Sequence, residues 1–142
     1  MRKKITKRRI DYLVRRVLLT FGKPMINGWI FEQKTIVNAL NRALQIGFVP
    51  VICQAVIDEC TGKRSNRGAG ALLKDFEVKD DKLTINIACL TDGMKKAING
   101  HEVVPFGFGR VDDNGVIRSF KLTALIVQSP DLPAVQPLLE ED

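Results

Sequence analysis

Histidine occurs once in this 142-residue chain, at His101, and serine three times, at Ser65, Ser119 and Ser129. That scarcity weighs against hydrolytic chemistry, which needs a nucleophile and a base within hydrogen-bonding reach. His101 follows a helix end and reads as a helix-terminal or surface histidine, and no orienting partner for a catalytic base is identifiable. Metal ligands are equally few. Cys53, Cys60 and Cys89 form no Cys-x-x-Cys pair. No zinc site is expected, and the odd count reads as reduced, structural thiols of an intracellular protein. Cys53 sits in an apolar run and reads as a small buried side chain rather than a replacement nucleophile. No apolar run approaches the ~20 residues of a membrane helix. Residues 17–21 are too short and interrupted for a secretory signal. The loop Gly62-Lys63-Arg64-Ser65-Asn66-Arg67-Gly68-Ala69-Gly70 lacks Walker spacing. It reads as an exposed contact loop through Lys63, Arg64 and Arg67, and no cofactor is expected.

Basic charge is plentiful but local. The formal net charge is +6, yet residues 1–16 hold Arg2, Lys3, Lys4, Lys7, Arg8, Arg9, Arg15 and Arg16 against Asp11 alone, a balance of +7. The rest of the chain carries 14 basic and 15 acidic side chains. The basicity therefore belongs to an N-terminal arm, placed at residues 1–13, and not to the body. At the other end, residues 129–142 contain Asp131, Glu140, Glu141 and Asp142 with no Lys or Arg, and three prolines. That tail is expected to be extended along a surface. Between them, residues 14–128 suit one domain with a moderate core.

Residues 10–21 are ambiguous. Ile10, Leu13, Val14, Val17, Leu18 and Phe21 fit a helical stripe, but the run also reads as a strand, favoured from about 14 to 21. Gly22-Lys23-Pro24 breaks the run and Asn27-Gly28 makes a turn. Gln33 to Gln45 is the clearest helix, with Ile36, Val37, Leu40, Ala43 and Leu44 on one face and Gly47 as its stop. Phe48 to Gln54 reads as a buried strand. Leu72 to Val78 and Leu83 to Leu90 read as two strands joined at Lys79–Lys82, the second with strict alternation of apolar and polar residues.

The stretch from Thr91 to Pro130 is the most specific. Thr91 or Asp92 caps a short helix, and Asn99-Gly100 supplies a left-handed residue to end it. Val103 to Val111 is a strand with alternating Gly107 and Gly109, which bare one face for close approach. Asp112-Asp113-Asn114-Gly115 is a hairpin turn whose Asn-Gly pair tolerates positive φ. Val116 to Gln128 is a long strand. The whole is an α+β domain: a curved, mostly antiparallel sheet or barrel with two helices.

This order resembles the tailed-phage prohead maturation proteases, which share a core fold with the herpesvirus assembly proteases. The resemblance rests on Gly107-Phe108-Gly109, the acidic turn through Gly115, Phe120-Lys121-Leu122, and upstream Asn27-Gly28-Trp29-Ile30-Phe31 before the helix. A weaker match is Leu73–Val78 with Asp81-Lys82-Leu83, and the likeness spans roughly residues 14–130. Aligned on the two glycines, the positions of the family's serine nucleophile hold Val104 and Pro105, and the region of its histidine, Val51–Asp58, has none. The resemblance thus implies the fold and a phage-capsid setting, with the catalytic serine and histidine missing. The expected function is that of a non-enzymatic virion protein, a capsid decoration or cement protein on the shell of major capsid protein, assembled in the host cytoplasm and oligomeric on the capsid. The alternatives are a divergent maturation protease, using for example His101 with Ser119, and a basic internal head protein that binds DNA. The arm through Arg2, Lys3, Lys4, Lys7, Arg8 and Arg9 suits an acidic capsid patch, phosphates, or solvent alone. Trp29 is either a core residue or an interface anchor.

Overall fold

A computed structural model of the chain describes residues 12–54, 70–136 and 138–139. The elements are β1 (Tyr12–Thr20), β2 (Ile30–Phe31), α1 (Gln33–Ile46), β3 (Pro50–Cys53), β4 (Ala71–Lys79), β5 (Lys82–Cys89), α2 (Asp92–Gly100), β6 (Val103–Val111), β7 (Val116–Val127) and β8 (Leu138–Leu139). The strands form one curled sheet, a half-barrel, in the order β1-β5-β4-β3-β7-β6-β8, with β2 paired to β7 off that path. The pairings β1–β5, β4–β5, β3–β4 and β6–β7 are antiparallel, whereas β2 and β3 join β7, and β8 joins β6, in parallel. The expected α+β class and curled sheet are present, with two helices among the described residues, but the sheet is mixed.

Alternation places β5 directly. Leu83, Ile85, Ile87 and Cys89 are fully buried, and the residues between them are not. The ambiguous N-terminal run is a strand from Tyr12. A register shift between Val17 and Leu19 lets Leu18 and Leu19 both face the core. One extra residue in a bulge turns consecutive side chains the same way, and this imitates a helical stripe in sequence.

The helix α1 joins β2 to β3, which lie along one edge of β7 at Val116–Ile117 and at Leu125–Val127. Its buried residues Ile36, Ala39 and Leu40 close the main core against the sheet. The Thr91 hydroxyl caps α2 by accepting from the Met94 N–H at 3.1 Å. The expected left-handed stop at Asn99-Gly100 does not form: α2 includes Gly100 and ends on an extended His101. Arg16, reaching from β1, donates to the Ile98 carbonyl at 2.5 Å and the His101 carbonyl at 2.7 Å. A cation from another element thus satisfies the terminal carbonyls that a glycine cap would have served.

The β6–β7 hairpin closes as a turn with Gly115 alone at positive φ (86°), while Asn114 keeps negative φ. The expected hairpin turn at Asp112–Gly115 forms, with Gly115 supplying its one left-handed residue. The Gly115 N–H bonds to the Asp112 carbonyl, and the Asp112 N–H to the Val116 carbonyl. This is a three-residue loop ending in a left-handed glycine, with a register shift beside it. Close approach at the alternating glycines is real. A Cβ on Gly107 would lie 1.9 Å from the Lys121 carbonyl oxygen, and one on Gly109 would touch the Phe120 ring at 3.0 Å.

Neighbouring residues on the central strands feed opposite faces. Val51, Val103 and Leu125 join the main core under the helices, while Ile52, Val104, Ala124 and Ile126 form a second apolar cluster on the other face. Val135 of the tail covers that second cluster.

Candidate functional site

The residues that bear on chemistry converge where β3, β6 and β7 end together, since Cys53 and Val103 both pair with Val127. Val104 and Pro105, the positions set against the family's serine, are buried on β6. The residue after β3 is Gln54 and the residue after β7 is Gln128, and both are buried. Gln128 Nε2 donates to Gln54 Oε1 at 2.6 Å. The two N–H groups of the same amide are shared with the Ser129, Leu132 and Pro133 carbonyls, which lie within 3.2 Å, and its Oε1 accepts from the Val135 N–H at 2.8 Å. Gln54 donates to the Pro133 carbonyl at 2.7 Å and accepts from the Ser129 N–H at 2.9 Å. Asn27, from the turn before β2, donates to the Val135 carbonyl at 2.9 Å.

Two uncharged amides thereby clasp the tail across the second cluster. Every buried side-chain polar atom among the described residues has a partner, so the network stabilises where an incomplete one would cost. The Gln54–Gln128 pair was not anticipated. Its signal in the sequence is slight: one glutamine directly after each of two apolar strands.

The other polar groups are scattered. Burial pushes the Cys53 thiol up, which keeps it protonated and weakly nucleophilic. His101 Nδ1 bonds to the Ala97 carbonyl at 2.8 Å, beside the start of β6. Ser119 lies opposite Arg110, seven residues further along that strand. At ~3.3 Å per residue the two are separated by more than ~20 Å, so the fold does not bring His101 and Ser119 together. Among the described residues no group of three metal-ligating side chains is clustered. No described helix is long and apolar enough to cross a membrane.

Trp29 is half-buried against the main core. Asn27 shapes the turn before it by accepting from the Trp29 N–H at 3.0 Å. The arm residues Arg2, Lys3, Lys4, Lys7, Arg8 and Arg9 and the loop residues Lys63, Arg64 and Arg67 lie outside the described residues.

Fold and strand order define a class, an α+β half-barrel of one curled mixed sheet with two helices among the described residues. No family model matches the chain, and no curated protein matches it. Among solved structures the chain is similar to the bacteriophage T4 capsid assembly protease, gp21. The TM-score is 0.55 at 10% sequence identity, covering 82% of this chain and 81% of that one. The protease-like fold expected from the order of short motifs is the fold of this chain.

Proposed function

We propose that the chain is a structural protein of a phage capsid, a decoration or cement protein that binds the shell of major capsid subunits and is not itself a protease. The observation that carries this reading is the filled end of the sheet. Where a hydrolase of this fold would need an accessible nucleophile, Val104 and Pro105 are buried and the tail is clasped over the cluster by Gln54 and Gln128. The likeness to a capsid assembly protease supports the capsid setting. The basic N-terminal segment supplies a charged stretch with which to reach neighbouring subunits, while the tail is held against the chain's own sheet. Self-association on the shell and a location in the virion belong to the same proposal. Contact between the arm and packaged DNA is the rival use of that arm.

Quantitative mass spectrometry of purified mature particles tests this. Hundreds of intact copies per particle are expected of a shell component. Absence from the particle, or trace processed fragments alone, contradicts the proposal and restores the maturation-protease reading.

A further inference from the structure

A cleft of about 400 Å³ lies between the outer side of α1 and the start of β7, lined by Lys34, Asn38 and Arg42 on the helix and by Arg118, Ser119 and Phe120 opposite. Its two sides are chemically unlike. Arg118 is already committed, with Nη1 at 3.2 Å from Glu32 and Nη2 at 2.8 Å from Asp112. Lys34 and Arg42 are exposed and have no hydrogen bond or ion pair among the described residues. The cleft therefore presents two free cations on one wall, with an amide between them.

Their spacing selects a shape of ligand. Lys34, Asn38 and Arg42 follow one another at four-residue steps, which is ~6 Å along a helix axis. Alternate residues of an extended chain are ~6.6 Å apart. Lys34 and Arg42 are thus ~12 Å apart, close to the ~13 Å between residues four apart in an extended chain. An extended polypeptide lying along α1 would set carboxylates four residues apart on Lys34 and Arg42, with Asn38 free to bond its backbone. A nucleic-acid strand fits less well, because single strands rely on aromatic stacking platforms. The one ring in the cleft, Phe120, is half-buried and engaged edge-to-face with Phe31 at 5.1 Å. We propose that the α1–β7 cleft is a docking site for an extended acidic segment of a partner protein, with carboxylates four residues apart. This stands independently of the capsid reading.

The test uses the full chain and a fluorescent Ser-based peptide with three Glu residues at every fourth position, titrated by anisotropy at about 50 mM salt, where surface charge is weakly screened. Lys34→Ala/Arg42→Ala is expected to weaken binding about tenfold or more, as loss of two charge-assisted contacts requires. Lys95→Ala/Lys96→Ala, an equal charge change on α2, is expected to weaken it less than about twofold. A peptide of equal composition with its three Glu residues contiguous, spanning only ~6.6 Å, is expected to bind more weakly. Equal loss in the two double variants, or equal binding of the two peptides, overturns the site, because attraction to the basic arm alone then accounts for the signal. Tighter binding of oligothymidylate, lost in the α1 variant, overturns it in favour of nucleic acid. Unchanged thermal unfolding of both double variants confirms that the comparison concerns binding.

Discussion

Single residues in the β6–β7 hairpin carry constraints that follow from contact distances. Gly107 lies where any Cβ meets the backbone of Lys121, and backbone cannot yield as a flexible side chain does. Gly107→Ala should destabilise the domain by about 3 kcal/mol in urea unfolding, at the upper end of overpacking costs. Gly109→Ala, which meets a phenyl ring, should cost less. At the turn, N–H groups of Val116 and Asn114 and the Arg118 guanidinium hold the Asp112 carboxyl below the usual carboxylate range. A pKa lower in the folded than in the unfolded state adds stability above the unfolded value and loses it as pH falls through the folded one. Asp112→Asn keeps an acceptor for the turn but loses the charge. Its urea midpoint should lie below that of the parent at neutral pH, and the gap should close below about pH 4. A gap that persists in acid would show that the turn hydrogen bonds, and not the charge, are what the substitution disturbs.

Elements were legible to the degree that their cause is local. The strict alternation in β5 and the apolar stripe of α1 each place a face against the core, and both appear as expected. β1 was ambiguous because its bulge at Leu18 breaks the two-residue period, and bulges are set by the partner strand. The tail shows the same limit. Its prolines announce an extended path, but the clasp depends on Gln54 and Gln128, far apart in sequence. Gln128→Leu deprives the Val135 N–H and the Leu132 carbonyl of their side-chain partner, which costs about 1–3 kcal/mol. Limited proteolysis should then cleave within residues 129–136 faster than in the parent chain. An unchanged cleavage rate would mean that packing of Val135 alone holds the tail.

Residues 1–16 carry a balance of +7 and the rest of the chain is near charge balance, a difference visible only when charge is counted by segment. If the arm reaches a neighbour, removing residues 1–9 should leave the unfolding midpoint unchanged and weaken binding to assembled capsid shells, measured by co-sedimentation. Unchanged binding would remove the arm from the interface. DNA binding that falls steeply with salt and vanishes in the truncated chain would assign the arm to phosphates instead.

The sequence by itself determined the alternation of β5, the stripe of α1, a cap at Thr91 or Asp92, the hairpin at Asp112–Gly115 and the bare face at Gly107 and Gly109. Each follows from a residue and its near neighbours. Only the tertiary structure decided the mixed pairing around β7, the bulge in β1, the Arg16 cap on α2, the glutamine clasp and the cationic cleft. These rest on partners brought together by burial of the shared core, and no local propensity specifies which distant residue arrives.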